Sequence, residues 1–100
     1  MEYKEALDKA KEFSKFIGKQ LHIEEFKEKI TIKKVYLCEL VSSKNEPRTK
    51  PQINSFENLD LNKDHSEKMK GLNLDVIIVY EKAMIIEDIA SDFNEKYPLL

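Results

Sequence analysis

The stretch Leu72-Asn73-Leu74-Asp75-Val76-Ile77-Ile78-Val79-Tyr80 begins with polar residues at alternate places and ends on five continuous apolar ones. Such a run suits a central strand covered on both faces. On the C-terminal side Ile85, Ile86, Ile89, Ala90, Phe93 and Tyr97 recur at helical spacing, which predicts a helix over about 83–96 closed by Pro98. A hairpin turning at Glu81-Lys82 is the competing reading of 76–88.

On the N-terminal side, residues 62–70 read as a short exposed helix. Asn62 or Asp64 caps it, Asp64 in a capping box with Glu67, and Gly71 ends it. Residues 42–58 collect Ser, Asn and Pro without a period, so they read as a long polar loop in which Ile53 and Phe56 are anchors. From about 30 to 42 the period is two: Ile30, Ile32, Tyr36, Cys38 and Leu40 share one parity and Val35, Leu37 and Val41 the other, which predicts a strand. Leu21, Ile23 and Phe26 read as a preceding strand that turns at Lys27-Glu28-Lys29, although the same residues could extend the first helix. That helix is read over 2–19 from Tyr3, Ala6, Leu7, Ala10, Phe13, Phe16 and Ile17, with acids at its start, Lys15 and Lys19 at its end and Gly18 as its stop.

These elements make one α+β domain over residues 1–100: a small, mostly antiparallel sheet of two to four strands packed against N- and C-terminal amphipathic helices. Ile78 and Phe93 are expected in its core. With 41% hydrophobic and 36% charged residues the chain can bury an interior without the low-hydrophobicity, high-net-charge balance of a disordered one. No apolar run approaches the roughly 18 residues of a membrane span. Glu2 and Glu5 stand where a signal peptide would be basic and then apolar. The single Cys38 has no disulfide partner, which suits a reducing compartment, and the expected location is the cytoplasm. All basic residues but Arg48 are Lys, and Ile and Asn are plentiful, which is the usage of an AT-rich genome and points to a low-GC bacterium, its phages or its mobile elements.

Catalytic and metal-binding chemistry finds little to work with. Asp60, Asn62 and Asp64 match the first, third and fifth positions of a calcium loop, but the sixth, which needs Gly, is His65 and the twelfth, which needs a carboxylate, is Gly71. His22 and Glu24 have no Cys pair or second nearby His to complete a zinc site. Cys38, among apolar neighbours, reads as a small core residue rather than a nucleophile. Gly18 and Gly71 stand alone, so there is no phosphate-binding loop and no dinucleotide fingerprint. The expectation is a protein that is not an enzyme, with no metal and no cofactor.

Charge is uneven along the chain: residues 1–50 carry a net +3 and residues 51–100 a net −5. The reading that follows is a small protein-binding module, an adaptor, inhibitor or accessory factor. Its expected contact surface combines Lys44, Arg48, Lys50, Ile53 and Phe56 of the loop with Glu87, Asp88, Asp92 and Glu95 of the last helix. Asp88 and Glu95 lack the neighbour that Lys96 provides for Asp92. A second copy of the chain is a further expected partner. The alternative is a nucleic-acid-associated protein using Lys27, Lys29, Lys33 and Lys34 with the loop cations, diluted by Glu24, Glu25 and Glu28.

Overall fold

The computed structural model describes residues 1–23, 28–41 and 52–98. The central strand of the sequence reading is β4, Leu74–Lys82, whose Val76, Ile77 and Ile78 are buried on successive faces. On one side it pairs with β2, Glu28–Val41, and on the other with β5, Met84–Ile89. The far side of β2 carries two short strands, β1 (Gln20–Ile23) beside its start and β3 (Gln52–Phe56) beside its end. Among the described residues all four strand pairings are antiparallel and the sheet has five strands, which exceeds the two to four expected.

β2 contains a bulge: Ile32 stands opposite Tyr80 and Lys34 opposite Val79, which leaves Lys33 as an extra residue. The bulge reconciles the two parities of the sequence. Ile30 and Ile32 before it, and Val35 and Leu37 after it, all join one core cluster. That cluster also takes Ala6, Ala10 and Phe13 of helix α1 (Tyr3–Ser14) and Ala90 and Phe93 of helix α3 (Ala90–Lys96). Both helices therefore lie on the same face of the sheet. Phe93 meets Phe13 and Tyr80 edge-on, with ring centroids at 5.8 and 5.0 Å, and Ile78 is fully buried beside them.

Several boundaries differ from the sequence reading. The first helix ends at Ser14 rather than 19, where the Ser14 hydroxyl donates to the Ala10 carbonyl at 2.7 Å and competes with the helical ladder. The chain then winds through Gly18, at φ 80°, whose N–H donates to the Ile32 carbonyl at 2.9 Å. The helix expected over 62–70 is one turn, α2 (Ser66–Met69), held by the buried Met69. Neither Asn62 nor Asp64 caps it and no box with Glu67 forms. Asp60 and Asp64 instead accept from the N–H groups of Asn62 and Ser66, both at 2.9 Å, and make local turns.

The helix expected over 83–96 is the largest difference. Its first half is strand β5 and only Ala90–Lys96 is helical, so the hairpin reading of this segment holds. The turn falls one residue later than Glu81-Lys82, at Ala83, which takes φ 64°. Of the polar loop 42–58, residues 52–56 form β3, and 42–51 lie outside the described residues, as do the expected strand residue Phe26 and turn residue Lys27.

Candidate functional site

The two faces of the sheet differ. One is covered by α1 and α3. The other carries a separate small cluster of Tyr36, Cys38 and Ile77, with Leu40, Val79 and Ile89 packed around it, and among the described residues no helix residue belongs to it. Cross-strand rows order this second face: Lys34, Val79 and Glu87 form one row, and Tyr36, Ile77 and Ile89 the next. The Tyr36 hydroxyl crosses between rows to donate to Oε1 of Glu87 at 2.9 Å. Lys34 lies 5.7 Å from the Tyr36 ring centroid and 3.5 Å from the Glu57 carboxylate.

β5 is an edge strand. Among the described residues no strand pairs with its outer side. Its first two side chains, Met84 and Ile85, are 66% and 60% exposed. Most edge strands are blunted by Lys, Pro or a bulge. β5, Met-Ile-Ile-Glu-Asp-Ile, has no Lys or Pro, its six pairings with β4 run in unbroken register, and its only charges are the acids Glu87 and Asp88.

Its two acids are not equivalent. Glu87 is on the second face and exposed, with Tyr36 its donor. Asp88 is on the helix-covered side, 16% exposed, where Tyr80 and Lys96 both donate to Oδ2 at 2.6 and 3.0 Å. Asp88 was expected as an unpartnered acid on a helix face; it is a partnered acid in a strand, and the lysine expected to offset Asp92 reaches Asp88 instead. Asp92 and Glu95 are exposed on α3. The four acids therefore do not share one helix face.

Nor does the structure bring the acids beside the loop anchors. Ile53, 40% exposed, and the half-buried Phe56 lie on β3. β3 is separated from β5 by β2 and β4, three strand spacings or at least about 14 Å. Phe56 packs on the helix-side core with the Lys68 ammonium 5.9 Å from its ring centroid. Lys44, Arg48 and Lys50 lie outside the described residues. The exposed pair Met84 and Ile85 was missed, because a helical reading of 83–96 places them in its first turn; β-branched Ile at three positions of six was the available signal.

The other candidates have structural positions. Cys38 is fully buried, and burial followed by the nearby Asp75 carboxylate pushes its thiol up to about 11. His65 Nε2 lies 2.7 Å from the Asp60 carbonyl, to which it donates, and its backbone N–H donates to the Tyr3 hydroxyl at 3.1 Å. The Ser66 amide and hydroxyl hold the Asp64 carboxyl below the usual carboxylate range. Among the described residues no group of three or more His, Cys, Asp or Glu is placed to hold a metal ion, and no helix is long and apolar enough to cross a membrane. No protein-family model matches the sequence, and no curated protein or solved structure shows significant similarity to it.

Proposed function

We propose that the chain is a non-enzymatic protein-binding module, of the adaptor, inhibitor or accessory kind, and that β5 is its contact strand. The observation that carries this reading is the exposure of Met84 and Ile85 on an edge whose backbone groups have no partner strand among the described residues. An edge of that kind is a template for strand addition, in which main-chain hydrogen bonds give affinity and alternate side chains give specificity. The non-enzymatic reading draws on Cys38, whose raised pKa keeps it a thiol at neutral pH, and on the bonded ring of His65. The cytoplasmic assignment rests on that lone cysteine.

Nucleic-acid binding is the weaker reading. Lys33 and Lys34 lie 3.3 and 3.5 Å from the carboxylates of Glu81 and Glu57, which offset the charge a phosphate backbone would meet. The test is parallel affinity capture from the source cell with the native chain and with Ile85→Lys, followed by calorimetry on each purified pair. A captured protein that binds the native chain and loses most of its affinity for the variant supports β5 as the contact strand. Equal affinity for both, or a salt-dependent shift of nucleic acid instead, overturns it.

A further inference from the structure

We infer that the segment β5 accepts is an extended stretch of another protein in which a basic residue stands between two apolar ones at alternate positions; this rests on the reading of β5 as the contact strand. On the second face of the sheet β5 presents Ile85, Glu87 and Ile89 in succession. A strand added to its outer side sets one residue opposite each of the three, on the same face. Ile85 is 60% exposed and Ile89 half-buried, so each offers apolar surface to the newcomer.

Glu87 between them is exposed and accepts from the Tyr36 hydroxyl through Oε1 at 2.9 Å, and among the described residues no donor is bonded to Oε2. Lys34, in the same row two strands away, points to Glu57 at 3.5 Å. The second acid, Asp88, faces the other side and is already bonded to Tyr80 and Lys96, so the charge readout belongs to Glu87. The pattern selected is apolar, any, Lys or Arg, any, apolar.

A second copy of this chain fits poorly. Antiparallel pairing of two β5 strands about Glu87 sets the two Glu87 carboxylates opposite each other, and pairing about Asp88 does the same to Asp88. Pairing about Ile86 sets Glu87 against Ile85 and Asp88 against Met84. Like charges directly opposite are unfavourable, and an acid opposite an aliphatic side chain gains no pair. The acids of β5 thus discriminate against self-association while favouring a basic partner.

The experiment titrates isotope-labelled protein with two blocked peptides, Thr-Val-Thr-X-Thr-Val-Thr, in which X is Lys in one and Glu in the other, so that both Val share the face of X, read by amide shifts. The expected result is that shifts map to 84–89, that the Lys peptide binds about three- to ten-fold more tightly than the Glu peptide, and that added salt narrows the difference. Glu87→Lys inverts the preference; Glu87→Gln, a milder change, abolishes it. Binding at 84–89 with no charge preference overturns the basic-residue inference and leaves the contact strand standing. Shifts elsewhere, with 84–89 silent, overturn both. A concentration-dependent dimer that Ile85→Lys dissolves assigns the edge to a second copy and overturns the inference.

Discussion

The phenol of Tyr36 on β2 reaches across β4 to donate to Glu87 on β5 at 2.9 Å, so a side-chain bond ties the edge strand to the strand beyond its neighbour. The same bond fixes the carboxylate from which β5 draws its charge. Tyr36→Phe keeps the ring on Ile77 and removes only the donor. It is expected to cost about 1 kcal/mol, a typical net value for one hydrogen bond. Urea denaturation checks the cost, and hydrogen exchange is expected to speed up in β5 before it does in β1 or β3.

Alkaline pH is expected to destabilise the fold in two steps. Burial and then the Glu87 hydrogen bond raise the Tyr36 phenol above its ordinary 10.0, and burial raises Cys38 from 9.0 to about 11. Both groups are neutral when protonated, so the folded state holds protons that the unfolded state has released. Stability from Cys38 is therefore full below pH 9 and lost as pH rises through about 11, with the Tyr36 contribution fading from pH 10 upward. Denaturation midpoints measured from pH 8 upward are expected to fall, and the fall between the two onsets is expected to flatten in Cys38→Ala. An unchanged slope in that variant contradicts the burial of the thiol.

Ala83 turns β4 into β5 at φ 64°, a conformation that costs an L-residue with a side chain roughly 1–2 kcal/mol and glycine far less. Ala83→Gly is expected to stabilise the protein by about 0.5–1 kcal/mol after the glycine's extra unfolded-state entropy is counted. A raised melting temperature checks it; a lowered one means that the turn does not hold this geometry.

The extra residue of β2 gives a prediction of the opposite kind. With Lys33 removed, Ile30, Ile32, Val35 and Leu37 fall on one face by simple alternation, and only the exposed 3.3 Å pair with Glu81 is lost. Deletion of Lys33 is expected to leave a folded protein within about 1 kcal/mol of the parent. Loss of the folded spectrum would show that the bulge itself is required.

The same two places mark where the sequence was and was not legible. The β4 run and the period of two in β2 are large, redundant signals, because many buried side chains must agree in phase, and they placed the central pair of strands. The two parities of β2 were visible too, but a bulge filled by a lysine carries no mark that says which residue is the extra one. The β4–β5 hairpin hid for a related reason: its positive-φ position is Ala83, not the Gly or Asn that announces such a turn. Meanwhile Ile85, Ile86, Ile89, Ala90 and Phe93 keep helical spacing by joining a strand to a helix without a break. That misreading moved Glu87 and Asp88 onto a helix face and hid the edge strand. The opposite environments of the two acids follow from strand alternation, which places neighbours on opposite sides of the sheet.

If β5 receives a partner's strand, amide hydrogen exchange registers it residue by residue. The free protein is compared with its complex with the captured partner, or with the Lys-centred peptide at saturation. The outward-facing amides of 84–89 are expected to exchange fast in the free protein and to become protected in the complex, while exchange in β1 and β3 stays as it was. Protection confined to α3, to β3 or to the start of α1, with the β5 amides unchanged, would contradict it.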